Sequence, residues 1–415
     1  MPVISRGISE YAHGWLTPKR IFVYALTLAT MTNIVFVGLY IRVPSFAETP
    51  GADFVQFYSA AILSRTNPDK LYDPEAQKEI QKRFSPGARS GIHWPYLHAP
   101  FFTILLIPLS AFSYVGAYWV WTVFTVFLTC LSVVMMIRLD PIKRPSLKLG
   151  LAVAYAAPVL YWLISTGQTT AVALFLWTLA FVLFKKNRLY WSGFVLGFLS
   201  YRAQYLLVIL PLMAMKRMWT GILGVGTSCL LLVIVGGLMF SFQSYPTYIE
   251  SVTQQSQRIV TLTQPLSHYV TLYGFFREIL PHTWAESGTI ITSLPLIYWL
   301  WRIWRNNAVP QSNDADLQWA MLLTTTLLLM HHGFVYDLIL LTVPILILYP
   351  YNAELSPYYK FLLLLLYFIP YVLLMFPGRL PFNPIQPLLM FLCFEIYRVY
   401  TNGLEKLPGE SPSPA

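Results

Sequence analysis

One carboxylate, Asp53, stands about a dozen residues beyond the first long apolar run, within Gly51-Ala52-Asp53-Phe54-Val55-Gln56-Phe57-Tyr58. An acidic side chain there, with aromatic rings beside it, suits two tasks. It can cap the helix that the spacing of Phe54, Phe57, Tyr58, Ala61 and Ile62 predicts, or it can accept a proton as a general base. Arg202 is the next residue with chemistry in it, because Tyr201-Arg202-Ala203-Gln204 interrupts an apolar run from Trp191 to Ala214. An arginine inside such a run costs about 2.5–3.5 kcal/mol on insertion scales and faces an interior partner or a cavity. It reads as half of a charge pair or as the partner of an anion. His331-His332 and Tyr336-Asp337 lie in a turn between two further apolar runs, His98 lies at the mouth of a short one, and Gln168 follows Thr166-Gly167. Together these are one base, one cation and several neutral donors, and no Gly-rich phosphate loop or metal-ligand spacing accompanies them.

The elements that must position them are helices in a membrane. Of the 415 residues, 56% are hydrophobic and 11% charged, against about a quarter charged in soluble domains. Many apolar runs approach the length of a hydrocarbon core, so the expected fold is an all-α polytopic membrane protein, a single domain over 1–403. The net charge of +10 is no nucleic-acid signal, since Lys and Arg cluster at the ends of apolar runs as retention on the cytoplasmic side predicts. Cys130, Cys229 and Cys393 all sit inside apolar runs and show neither a disulfide framework nor zinc spacing. Arg6, Lys19 and Arg20 precede a first span, Ile21 to Ile41, that reads as uncleaved. The first outer loop, 42–95, should hold two amphipathic helices, the second starting at Asp73-Pro74 as cap and first helical residue. A second outer loop, 241–287, carries Tyr245, Tyr248, Glu250, Gln254, Gln255 and Arg258, which suit carbohydrate contact. The tail 404–415 reads as a disordered cytoplasmic segment.

Two segments leave the topology open. If Tyr96–Phe112 and Trp191–Ala214 both cross, there are 12 spans and the seven Lys and Arg between 138 and 188 face outward; if both are re-entrant hairpins there are 10 and those seven face the cytoplasm. The charge rule favours the hairpins. Asp53 is outside in either case. Asp314-Ala315-Asp316 precedes a span on the basic side and reads as helix capping, and Gly193 and Gly197 read as close helix packing.

Residues across most of the chain carry a resemblance: Asp53-Phe54 with Phe57-Tyr58-Ser59-Ala60-Ala61, Leu71-Tyr72-Asp73, Trp94-Pro95-Tyr96 before Pro100, Pro108-Leu109 with Ala117-Tyr118-Trp119, Gly167-Gln168, Gly193 to Gln204, and Tyr336-Asp337-Leu338. In their order and spacing the chain resembles glycosyltransferase family 87, of the GT-C superfamily. It departs from that pattern at Leu97-His98-Ala99-Pro100, where the family tends to carry Pro-Pro, and at Arg202-Ala203, where it tends to carry Lys-Pro. The resemblance implies a GT-C-like bundle of 10–12 transmembrane segments and an inverting, polyprenyl-phosphate-sugar-dependent hexosyltransferase; no cofactor is expected, and no ligand set argues for a metal. It further implies a polyprenyl-monophosphate donor carrying a mannose-like hexose or a pentose, and a glycolipid or polysaccharide acceptor of the cell envelope. The location implied is a bacterial-type inner membrane, with the site facing the periplasm. Asp53 would be the catalytic base. Arg202, His331, His332, His98, Gln168, Tyr58, Tyr96 and Asp337 would bind substrate or donor phosphate. The rival reading, a transporter or flippase of lipid or lipid-linked sugar, predicts matching halves, which the sequence lacks.

Overall fold

The computed structural model describes residues 17–42, 50–89, 91–262, 268–306, 308–351, 357–375 and 383–405. The expected Arg6 and most of the tail 404–415 lie outside these residues. Helices dominate: α1 (Pro18–Arg42), α2 (Phe54–Thr66), α3 (Pro74–Phe84), α4 (Tyr114–Leu139), α5 (Leu147–Tyr155), α6 (Pro158–Thr166), α7 (Thr170–Lys185), α8 (Leu189–Gly197), α9 (Gln204–Met215), α10 (Trp219–Phe240), α11 (Ser244–Leu262), α12 (Leu272–Ile279), α13 (His282–Trp304), α14 (Asn313–Leu329), α15 (Thr342–Leu348), α16 (Pro357–Met375) and α17 (Ile385–Glu405). The described residues hold no strand, only an antiparallel bridge between Tyr269 and Phe334. The chain is an all-α polytopic membrane protein.

Among the described residues, three helices are long and apolar enough to cross a membrane unaided, within α1, α4 and α10, and the pair α5–α6, bent by 50°, makes a fourth. The bend has a local cause. Pro158 opens α6 without an amide proton, and the residue before a proline is pushed out of the helical region; Ala157 accordingly sits at φ −63°, ψ 125°. Shorter apolar helices, among them α7, α9 and 335–351, supply the rest of the bundle.

Both ambiguous segments fold back on themselves. A Cβ placed on Gly221, at the start of α10, would meet Met213 Cε and the Leu189 carbonyl, so 189 and 213 lie at the same end of α10. Arg202 and Gln204, between them, lie further along α10, beyond Gly197, which packs on Val225 and Ser228, and there Gln204 Nε2 donates to the His332 carbonyl at 2.8 Å. The segment 96–112 likewise begins and ends beside α2 and α3: the Tyr96 amide donates to Gln77 Oε1 at 3.0 Å, and the Tyr58 hydroxyl donates to the Phe112 carbonyl at 2.8 Å. Pro100 and Pro108 break it into 3₁₀ turns around one α-helical turn, Thr103–Leu106.

One basic cluster lies at the end of the bundle opposite Arg202. Lys185 Nζ reaches Asp316 Oδ1 at 2.5 Å and Arg144 reaches Asp316 Oδ2 at 3.3 Å; Lys216 donates to Gln318 at 2.8 Å. Asp316 is therefore a buried ion-pair centre rather than a cap. Ser312 holds the cap of α14, accepting from the Ala315 amide. The stretch expected as a second outer loop is largely helical, forming α11, α12 and the start of α13. Tyr245, Tyr248 and Val252 recur there at the spacing of one helix face, a period that its many Ser, Thr and Gln obscure.

Candidate active site

Two glycines set Asp53 in place. Gly51 (φ +81°) and Gly167 (φ +70°) take left-handed backbone that a side chain resists. A Cβ on Gly167 would also fall 2.6 Å from Phe54 Cβ. The two turns can therefore approach until the Ala52 amide donates to the Ser165 carbonyl at 3.1 Å and the Asp53 amide to the Thr166 carbonyl at 2.9 Å. Asp53 is thereby held beside Gln168. It occupies the N-cap position of α2, yet its side chain makes no capping hydrogen bond. Its Oδ2 accepts from Gln168 Nε2 at 2.8 Å instead, and the carboxylate, 6% exposed, faces a cavity of about 320 Å³. Burial raises Asp53 above the ordinary carboxylate range; the Gln168 hydrogen bond and the Arg202 charge offset part of that rise.

Gln168 links Asp53 to a second charged pair. Its Oε1 accepts from Arg202 at 3.2 Å, and Arg202 meets Asp337 Oδ1 at 3.0 Å. The Thr170 hydroxyl donates to the same Oδ1 at 2.6 Å, while Asp337 Oδ2 accepts from the Phe334 amide at 2.9 Å. Asp337 thus both caps the 335–341 turn and pairs the arginine. The loop carrying His331 and His332 is pinned from both sides: the Val270 amide donates to the Gly333 carbonyl at 2.9 Å, and Asn383 and Gln386 each donate to the Tyr269 carbonyl at 2.6 Å.

The two histidines part company here. His332 lines the cavity, with both ring nitrogens buried and without a hydrogen-bond partner among the described residues. Burial and the neighbouring His331 and Arg202 lower it to about 4, so its imidazole is neutral. His331 is exposed, off the cavity wall, and stacks on Tyr273 at 4.5 Å between ring centroids. His98 lines the cavity and is buried, stacked on Tyr96, Phe102 and Tyr201, with Nε2 3.4 Å from the Thr169 hydroxyl. Burial, then Arg202, hold it well below the ordinary histidine value.

Gln168, Arg202, His98, His332 and Asp337 thus meet around Asp53 on one cavity. Tyr58 and Tyr96 do not line it. Their rings belong to the buried aromatic layer behind Asp53, Tyr58 against Phe84 and Tyr114 and Tyr96 against Phe57 and Tyr72. Of the second-loop candidates, Tyr248 reaches the wall. Tyr245 bonds carbonyls of α10, Glu250 and Gln254 bond each other on an exposed face, and the side chains of Gln255 and Arg258 lie outside the described residues. Gln56, His93 and Trp94 also line the wall. Gln56 was legible as the residue one turn after Asp53; His93 and Trp94 sit in irregular chain, where no periodicity marks a facing side. Among the described residues no three His, Cys, Asp or Glu converge to hold a metal ion.

A buried carboxylate on a cavity, a paired arginine and neutral imidazoles suit transfer to a hydroxyl with an anionic group nearby. A model of glycosyltransferase family 87 matches residues 96–331, more than half of the chain. The chain belongs to this family. It is a membrane glycosyltransferase, and so takes a donor and an acceptor. His98, Gln168, Arg202 and His331 fall inside the matched region, and Asp53, His332 and Asp337 outside it. No curated protein and no solved structure matches the chain.

Proposed function

We propose that this family 87 enzyme moves a mannose-like hexose or a pentose from a polyprenyl-monophosphate donor to a hydroxyl of a glycolipid or polysaccharide, with inversion. Asp53 is the base. The observation that carries the reading is a carboxylate placed at a helix start, released from capping and turned onto a cavity. The acceptor hydroxyl gives its proton to Asp53 as its oxygen attacks the anomeric carbon. The bond from that carbon to the phosphate oxygen breaks, and the electron pair leaves with polyprenyl phosphate. A phosphate needs no protonation to depart, so one base and a set of donors suffice.

His332, whose ring nitrogens have no protein partner among the described residues, and Arg202 are the donors for the phosphate. Gln168 and His98 line the same cavity as neutral polar contacts for sugar. Charge supports a sidedness. Arg144, Lys185 and Lys216 lie at the opposite end of the bundle, and retention of basic ends on the cytoplasmic side supports a cavity at the periplasmic face of an inner membrane.

The test is transfer by purified protein supplied with radiolabelled polyprenyl-phosphate mannose or pentose and envelope glycolipids. Asp53→Asn should fold and lose at least about 10²-fold in rate, the contribution of a positioned base. Near-native turnover in that variant, or a product with retained anomeric configuration, would remove Asp53 from this role.

A further inference from the structure

The Asp337 carboxylate is filled by protein from three directions: Thr170 and Arg202 at Oδ1 and the Phe334 amide at Oδ2. Its side chain is 1% exposed. Arg202 turns its other nitrogen to Gln168 Oε1, and Gln168 Nε2 faces Asp53. The amide has a single workable orientation. Reversed, it would set donor against the guanidinium and acceptor against the carboxylate. A neutral spacer therefore separates Arg202 from Asp53, while the arginine's charge is taken up by Asp337. A direct Arg202–Asp53 pair would instead favour the anion and fill its lone pairs, making a weak base.

We propose that Asp337 is a positioning residue that holds Arg202 away from Asp53 and weakens its field there, leaving Asp53 free to accept a proton. The proposal takes the task of Asp53 from the reading above, but its test needs no substrate. The other titratable groups around Asp53 are His93, His98 and His332 along the cavity and the phenols of Tyr114, Tyr201, Tyr248 and Tyr336. The three imidazoles are held below their ordinary value, chiefly by burial, and phenols ordinarily titrate near 10. Near neutral pH, Arg202 and Asp337 are thus the charges that act on Asp53 within the cavity wall.

The experiment is infrared titration of the Asp53 carboxyl stretch in the full chain in nanodiscs, the band assigned by its loss in Asp53→Asn. Asp337→Asn bares the arginine charge and should move the Asp53 midpoint down by about one pH unit. Adding Arg202→Gln removes both charges and should return it to within a few tenths of a unit of the parent. A folded Asp337→Asn with an unmoved midpoint overturns the proposal, since a merely structural role lowers stability without touching that band. If Asp337→Asn does not fold, the double variant decides. A midpoint within about half a unit of the parent's supports a weakened field; a larger rise means that Arg202 acts on Asp53 unshielded, and overturns it. Should the titrations come out as expected in a protein that moves no sugar, the positioning stands and the transfer reading falls.

Discussion

Replacing Gly193 with alanine should cripple transfer although Gly193 lies off the cavity. The 189–215 hairpin that carries Arg202 packs on α10 through interlocking glycines. A Cβ on Gly193 would fall 2.7 Å from the carbonyl carbon and 2.9 Å from Cα of Gly221, and closer still to its oxygen. These are backbone atoms of a helix, which cannot rotate aside as a side chain can. The hairpin must therefore move off α10 by about 1 Å, an overpacking that costs about 1–3 kcal/mol. Arg202 sits nine residues further along the same hairpin, held to Asp337 at 3.0 Å and Gln168 at 3.2 Å. A displacement of about 1 Å carries both contacts beyond hydrogen-bond range, and misplacement of that size lowers rate by about 10²-fold. Gly226→Ala is the control. It lies on α10 with nothing within 4 Å of a new Cβ, so it should leave transfer unchanged and stabilise the helix by about 0.5–1 kcal/mol. Initial rates in nanodiscs, with thermal unfolding in parallel, read both effects. If Gly193→Ala transfers within about threefold of the parent, or if the two variants behave alike, close packing does not position Arg202.

Asp53→Asn should raise the thermal midpoint at neutral pH while abolishing transfer. Because burial raises the folded value of Asp53 above 3.8, its stabilising contribution is fully present below 3.8 and is lost as pH rises through the folded value. The asparagine variant should therefore gain over the parent at neutral pH and gain nothing below about pH 3; equal gains at both would contradict a raised Asp53. His332→Ala should lower kcat/KM for the donor by about 10-fold or more, the loss of one hydrogen bond to a charged phosphate, while His331→Ala stays within about twofold. Equal losses would place the phosphate elsewhere. Asp316→Ala leaves Arg144 and Lys185 without their shared carboxylate and should destabilise the chain by about 3–5 kcal/mol. A change below about 1 kcal/mol in reversible unfolding would show that this cluster does not hold the basic end together.

Asp53 shows where reading a sequence stops. A carboxylate before an aromatic helical run is legible as a cap or as a base, and no spacing separates the two. Gly51 and Gly167, whose left-handed turns bring Asp53 to Gln168, leave its side chain out of the cap; the base is the proposal that this geometry supports. Asp316 is the opposite case. Its neighbours suggest capping, yet Ser312 takes that place and a buried pair with Arg144 and Lys185 takes Asp316. His331 and His332 are adjacent, and only the pinning of Gly333 and Phe334 turns one ring to the cavity and the other away.

Membrane immersion, helical class and a basic cluster at one end were legible in the chain alone, because each rests on local composition that adds along the sequence. So was the suspicion attached to Asp53, Arg202, His332 and Asp337, since a polar group in or beside an apolar run always needs a reason. Which of them share one cavity was a tertiary decision. Asp53 and Asp337 are joined through Gln168 and Arg202 only because proline bends and glycine contacts set how closely distant helices approach, and a hydrogen bond at 3 Å tolerates no other approach.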